Sequence, residues 1–520
     1  MGSATIRLLV GVTVAGVSLA LAGATSAVAV YPAAAAVAPP VLSHWAPAAP
    51  VPGLSALTTT SSTVSAVSCA PSADCAIGGT YDDALGNPQA WVASGHAGTW
   101  SNAIALPGSI TTNGGHSEIN GVSCATSNYC VAVGETATSQ FADRATVDVD
   151  LGGTWQQAML VPGLGDSSSQ ALSVSCPSVG NCTVVGWYRD ASNARQAFVE
   201  DEVNGTWGSF QDVPGIPQLN TGQFAELNSV SCGSPQNCTA AGEFTTLGGT
   251  PNAFFAAKVS GSWHGFSIGF VPPTTGRSVS CPASGACVLT GTATDANGHP
   301  EVYFMEVTPD GNTVATSLPV FLPGILALNV GGTALDNSVS CPSDGNCVVV
   351  GHYTDAAGSG QVLTIDEVNG TWGSPARLPG QTSQGHFSTQ SYVSCWSAGN
   401  CVTGGVVATP TGLQGIVSVE SPAASAALAT NTATVKFGQE QSAQLAINVK
   451  PKTGGTPAGT VTVKAGQTTV AVVTLKRGKA TWTLPPKKLR PGTYQLTGTY
   501  TSSNGYNPVT TAKKKLVVTN

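Results

Sequence analysis

The 14 cysteines of this 520-residue chain fall into seven pairs with one identical gap of six positions. They are Cys69 and Cys75, Cys124 and Cys130, Cys176 and Cys182, Cys232 and Cys238, Cys281 and Cys287, Cys341 and Cys347, and Cys395 and Cys401. The first cysteine of successive pairs recurs after 55, 52, 56, 49, 60 and 54 residues, and the surrounding sequence recurs with it. Any fold must therefore be built from a repeated unit. Thiols in such number persist as disulfides only in an oxidising compartment, which predicts an extracellular protein. Zinc is the competing reading. Its usual local spacing leaves about two to four residues between ligands, and only 7 His are present. No metal and no cofactor is expected.

Each unit opens with a short alternating segment ending in Ser-Val-Ser-Cys or close to it, as at Ser173 to Cys176 and Ser338 to Cys341. A five-residue turn follows, then a β-branched run such as Cys347-Val348-Val349-Val350-Gly351. Two strands joined by a tight loop fit this pattern. Next come a turn carrying Gly or Asp, as at Asp190 or Asp355, and a third apolar stretch such as Gln196-Ala197-Phe198-Val199. The unit closes on Asn-Gly-Thr-Trp or a variant and, seven residues after the Trp, Pro-Gly. With 62 Gly and 33 Pro, a mostly helical protein is excluded. Four short strands in about 50 residues match a β-propeller blade. Seven independent beads are the rival picture, but a bead that short could hardly bury enough surface to fold alone.

The seventh unit, from Val393 to about Glu420, never reaches a Trp and Pro-Gly. That missing piece stands at the other end, where Trp45 and Pro52-Gly53 keep the spacing of Trp100 to Pro107, Trp155 to Pro162, Trp207 to Pro214 and Trp372 to Pro379. The expectation is that the segment near Trp45 supplies the outer strand of the last blade. The fifth unit departs from the pattern, with Val314 in place of Trp. Cysteines six apart across a hairpin can face one another at disulfide distance, so each pair is expected to staple strand one to strand two. Bridges between units remain the alternative on spacing alone. A Trp that recurs once per unit reads as a packing residue, because a site usually breaks the symmetry.

Recognition is expected on the variable connections that follow Pro-Gly. They carry the candidate binding residues His116, Glu118, Phe224, Glu226, His386 and Phe387, together with Ser117, Asp166, Gln223 and Asp336. Ordinary solvated loop residues are the alternative for all of them. No Gly-x-Ser-x-Gly elbow, His-Glu-x-x-His or phosphate loop is present, so no catalytic residue is assigned. Glu118 and Glu226 are candidates for a carboxylate pair of glycoside hydrolysis, at a separation the sequence leaves open. The recurring turn residues Asp83, Asp190, Asp295 and Asp355 favour turn capping, with calcium as the alternative.

Arg7 precedes the apolar stretch Leu8 to Ala22, followed by the small residues Ala27, Val28 and Ala29. That reads as a secretory signal over residues 1–29, with a retained anchor as the alternative. No later segment is a membrane-span candidate. Beyond Ser421 the cysteines stop. Alternating segments such as Gln444 to Val449, Gly459 to Lys464 and Tyr494 to Tyr500 suggest a β-sandwich. From Ser421 onward there are 11 Lys and 2 Arg against the single Glu440, a net charge of +12, whereas the preceding residues carry −19. A compact domain at +12 should attract polyanions through the Lys-rich residues 436–515. An anionic cell-wall polymer is the favoured target, docking onto the acidic part of the chain the internal alternative. No nucleic acid partner is expected.

The Ser-Cys-Pro-Ser and Asn-Cys-Val-Val-Val-Gly units, over residues 41–420, resemble propeller repeats of secreted bacterial proteins and, distantly, Asp-box propellers of the sialidase type. The Asn-Gly-Thr-Trp of 204–207 and 369–372 lacks the Ser and Asp of an Asp-box. Residues 430–520, with Pro491-Gly492-Thr493-Tyr494, are similar to bacterial Ig-like repeat domains, which usually serve as spacers or adhesive units. The expected fold class is all-β, a seven-bladed β-propeller with N-terminal strand closure followed by an Ig-like β-sandwich. The expected domains are a signal peptide 1–29, a flexible segment 30–40, the propeller 41–420, a linker 421–430 and the sandwich 431–520. The expected function is a secreted, monomeric, non-catalytic binding protein recognising a surface glycan or protein. A secreted carbohydrate-active hydrolase is the alternative.

Overall fold

A computed structural model of the chain describes residues 45–108, 115–137, 143–165, 167–268, 274–310, 313–329, 332–355, 358, 360–376, 388–420, 424–451, 457–502 and 509–520. The expected signal peptide, the flexible segment 30–40, Asp166, His386 and Phe387 lie outside these residues. The chain divides into two compact units, one built mainly from residues 47–418 and the other mainly from 419–520.

The larger unit consists of seven antiparallel sheets of four or five strands among the described residues. Their first strands are Ala66–Cys69, His116–Thr126, Ser169–Ser178, Ala225–Ser234, Thr274–Ser280, Ala334–Ser343 and Ser388–Ser397. In six sheets the strands lie in chain order. In the seventh the outermost strand is Ala49–Pro50, whose register sets Ala49 opposite Val417 and Pro50 opposite Ile416. Trp45 forms a bridge to Glu420 just as Trp207 pairs with Glu202 and Trp372 with Glu367. It is 3% exposed, so the N-terminal segment completes the last sheet as its spacing predicts. The fifth unit keeps a regular outer strand, Thr313–Thr316, with buried Val314 opposite Pro309.

The repeated Ser-Cys dipeptide has a physical reason that the sequence did not disclose. A first strand has one edge without a strand partner, and buried backbone donors there need acceptors. The backbone N–H of Cys124 donates to Ser68 Oγ at 3.0 Å, Cys176 to Ser123 at 2.9 Å, Cys232 to Ser175 at 2.9 Å and Cys281 to Ser231 at 2.8 Å. Cys341 donates to Ser280 at 2.8 Å, Cys395 to Ser340 at 2.9 Å and Cys69 to Ser394 at 2.9 Å. Each step passes from one sheet to the next, and the last returns to the first. In the later sheets the other serine of Ser-Val-Ser-Cys repeats the device, with Val230, Val279, Val339 and Val393 donating to Ser173, Ser229, Ser278 and Ser338.

Apolar clusters fill the space between neighbouring sheets. Val199 and Val213 of the third sheet meet Leu227 and Phe254 of the fourth, and Val51 and Val417 of the seventh meet Ile77 and Trp91 of the first. Burial of one such side chain contributes about 1.5–3 kcal/mol.

The glycine ending each β-branched run is dictated by a close approach. The first strand bulges by one residue, between Ile119 and Gly121, Ala171 and Ser173, and Leu227 and Ser229. A Cβ on Gly134, Gly186 or Gly242 would then lie 1.8, 2.0 or 2.1 Å from the carbonyl oxygen of Glu118, Gln170 or Glu226. Only glycine fits.

Six disulfides join the first and second strands of six sheets as the spacing predicts, from Cys69–Cys75 to Cys341–Cys347, with Cα separations of 3.9–4.1 Å. Cys395 and Cys401 are also disulfide-bonded. The turn aspartates cap their own loops: Asp83 Oδ1 accepts from the N–H of Leu85 and Asn87, and Asp190 Oδ1 from those of Ser192 and Ala194.

The smaller unit packs a three-stranded sheet and a six-stranded sheet around Leu445, Ile447, Val461, Val463, Leu496, Tyr500 and Leu516. The stretch expected as a linker, 421–430, needs correction. Ala424–Thr430 is a strand paired with Gln444–Pro451, burying Ala424 and Leu428. Its inward face is mostly alanine, and that weak alternation hid it. Beyond Glu420 the one acidic residue, Glu440, is fully buried and accepts from the N–H of Lys487 at 2.9 Å. Every Lys and Arg described in this unit is exposed.

Candidate functional site

The residue after each second-strand glycine is not held constant as the glycine is, and neither is the residue opposite it. The opposed pairs are Thr63 and Thr80 hydroxyls at 2.7 Å, then Glu118 with Glu135, Gln170 with Trp187, Glu226 with Glu243, Thr275 with Thr292 and Leu335 with His352. The frame repeats here while the chemistry does not, and the second, third and fourth sheets gather the charge.

Arg195 is the centre of this group. It opens the strand Arg195–Val203, as Arg144 opens the matching strand of the second sheet, where others begin with Pro88, Pro251, Pro300 or Gly360. Its backbone N–H donates to Gln223, and the buried Asn220 side chain binds both the Arg195 carbonyl and the Phe224 N–H. The connection after the third sheet is thereby pinned against Arg195. The guanidinium lies 3.8 Å from the Trp187 ring and 4.7 Å from the Phe224 ring, and its Nη2 pairs with Glu226 Oε2 at 2.6 Å. Stacking and a charge-assisted hydrogen bond hold it in one plane. Its Nε is buried with no hydrogen-bond partner. Trp187 Nε1 donates to Gln170 Oε1 at 3.0 Å, which fixes the indole.

Buried carboxyls surround this cation. Burial pushes Glu135 up to about 8, Asp143 and Glu118 adding to the rise while Gln170 and Arg195 oppose it. Glu243 is pushed up to about 7, by burial first and Glu226 second. Burial also raises Glu226, against the pull of Arg195 and Arg277. At neutral pH, Glu135 therefore holds a proton to donate, and Glu243 is poised between its two forms. His116 Nε2 lies 3.3 Å from Asp143 Oδ1 and 3.8 Å from Glu135 Oε1.

Four of the sequence-predicted site residues are thus placed. Phe224 and Glu226 meet at Arg195, and His116 meets Glu135 and Asp143. Glu118 lies across the strand pair from Glu135 and adds to its rise. Sequence reasoning missed Arg195, Trp187, Glu135 and Glu243. The signal that could have found Trp187, Glu135 and Glu243 is the changing residue after an unchanging glycine; Arg195 gave no such signal.

No curated protein matches the chain. Among solved structures it is similar to the Trypanosoma rangeli sialidase in complex with a difluorinated nononic acid, at 11% identity and a TM-score of 0.37, covering 56% of this chain and 52% of the sialidase. The chain thus spans about half the length of that protein. It is also similar to an ulvan-lyase polysaccharide lyase, at 8% identity and a TM-score of 0.39, over 68% of this chain and 94% of the lyase. A neuraminidase-like protein of the isolate A/flat-faced bat/Peru is similar at 12% identity and a TM-score of 0.35, over 75% of this chain and 96% of that one. In the smaller unit, residues 427–519 match the model of the bacterial Ig-like domain, group 3.

Proposed function

We propose that this chain is an extracellular carbohydrate-binding protein. Its seven-bladed propeller, residues 41–420, takes a hydroxyl-rich glycan beside Arg195, and the basic Ig-like domain associates with anionic cell-surface polymer. Residues 1–29 act as the export signal, and the protein works as a single chain. The observation that carries the reading is the Arg195 arrangement: one cation stacked between Trp187 and Phe224, paired with Glu226 and keeping an unpartnered buried Nε donor. Aromatic faces beside fixed donors and acceptors are what an oriented sugar ring requires. With Glu135 protonated, the two arginines, Arg195 and Arg277, stand against Glu118, Asp143 and Glu226, which leaves the group with a small net negative charge. That balance favours uncharged sugars over carboxylated or sulfated ones.

The test is a glycan array probed with the full chain and with Phe224→Ala. Binding to neutral or amino sugars that disappears in the variant supports the reading. Binding confined to acidic glycans, or unchanged in Phe224→Ala, overturns it.

A second reading, glycoside hydrolysis, is favoured by the elevated Glu135 and Glu243, since a carboxyl that keeps its proton near neutrality suits a general acid. Release of reducing ends from a bound polysaccharide, lost in Glu243→Gln, would establish it.

A further inference from the structure

We infer that His116, Glu135 and Asp143 form a binding site for a divalent transition-metal cation. One ligand atom from each residue lies within 4.8 Å of the others. His116 Nε2 sits 3.3 Å from Asp143 Oδ1 and 3.8 Å from Glu135 Oε1. Three consecutive pieces of the second sheet supply them: the first residue of His116–Thr126, the strand Tyr129–Ala137, and the residue before Arg144–Leu151. Hydrogen-bonded strand pairs hold these pieces together, so the donors are arranged before any ion arrives.

An acidic cluster with a histidine can be a plain surface ion pair. The Glu135 carboxylate argues otherwise. Its side chain is 6% exposed, and its Oε2 is buried with no hydrogen-bond partner. Buried polar atoms are ordinarily satisfied, and an orphaned carboxyl oxygen costs free energy unless a proton, a donor or a cation meets it. His116 reaches the other oxygen only at 3.8 Å, beyond hydrogen-bond length. Glu243 holds the corresponding place in the fourth sheet, but among the described residues only the acid of the second sheet is grouped with a histidine and an aspartate.

The donor set selects the ion by class. One imidazole nitrogen and two carboxylates suit zinc, manganese or iron(II), whereas calcium takes about 6–8 oxygen ligands. Three protein ligands leave positions open, and the His116 side chain, 35% exposed, gives them access to water. The inference does not depend on the carbohydrate reading, because its readout needs no glycan.

The experiment is calorimetric titration of the metal-stripped full chain with Zn2+ and with Mn2+ at pH 8, alongside thermal melts. One saturable site per chain is expected, with a higher melting temperature in either ion and affinity at least about tenfold weaker in both His116→Ala and Asp143→Asn. Asp83→Asn, at a turn on the first sheet, should bind as the parent does. Asp143 is one-third exposed, so Asp143→Asn keeps the test decisive should His116→Ala fail to fold. Absence of saturable binding up to about 1 mM of either ion, or unchanged affinity in Asp143→Asn, overturns the inference.

Discussion

The backbone N–H of Cys69 donates to Ser394 Oγ at 2.9 Å, across 325 positions of sequence. It is the seventh of seven equivalent bonds, and it joins the last sheet to the first. Ser394→Ala should cost about 1 kcal/mol, the same as Ser231→Ala within the series, because each removes one acceptor of one buried N–H. Trp45→Ala should cost more, about 3–5 kcal/mol, through the cavity it opens in the closing sheet. Urea denaturation of the three variants checks this. A Trp45→Ala protein as stable as Ser394→Ala would contradict closure by that strand.

Stability should fall as pH rises from about 4 to about 8. Burial raises Asp148 and Glu200 to about 8 and Glu301 and Glu367 to about 7, and both carboxylate oxygens of Asp148 and of Glu200 lack hydrogen-bond partners. The folded chain keeps these protons while the unfolded chain releases them near pH 4, so alkali favours unfolding. Melting curves at pH 5 and pH 8 should differ by several degrees. Asp148→Asn should stabilise the protein at pH 8 and leave it nearly unchanged at pH 5.

Each small disulfide loop contributes about 2 kcal/mol in the loop-entropy account. The double variant Cys176→Ser and Cys182→Ser should lose about that much, with strand content unchanged by circular dichroism. Wholesale loss of structure on removing one bridge would mean that the bridges do more than stiffen single sheets.

Truncating Arg195 should reveal a coupled pair. Arg195→Ala strands Glu226, which is nine-tenths buried, and should cost about 3–5 kcal/mol. The double variant Arg195→Met with Glu226→Gln should cost less than the two single changes together, as a double-mutant cycle would register. Simple additivity would show that the ion pair is not an energetic unit.

Association with anionic polymer through the Ig-like domain should weaken steeply between about 0.05 and 0.5 M salt. Lys513, Lys514 and Lys515 are adjacent and exposed, and changing all three to Gln should reduce binding to a polyanion resin. Retention that ignores salt would point to a different mode of attachment.

Much of the frame was legible in the sequence because repetition multiplies weak signals. Seven Cys pairs, a Trp-to-Pro spacing and a missing last strand sufficed to place Trp45 beside Glu420. The strand Ala424–Thr430 escaped because alanines carry its inward face. His116, Phe224 and Glu226 were expected on variable connections, although His116 and Glu226 stand in the first strands His116–Thr126 and Ala225–Ser234; Arg195 and Glu135 were not found. Those two sit inside regular strands, where a charged residue reads as part of an alternating pattern until burial reveals that it has no water. The Ser-Val-Ser-Cys motif was visible as a repeat, yet its reason lies in the neighbouring sheet, which no single unit's sequence describes.

The bridge from Trp45 to Glu420 also orders events in time. A polypeptide made from its N-terminus displays Trp45 long before Glu420 exists, so the indole must wait, unhoused, while six other sheets can already assemble. Completion of this architecture is therefore a terminal act of synthesis, and truncated products lacking the final strands should be arrested as open, aggregation-prone arcs.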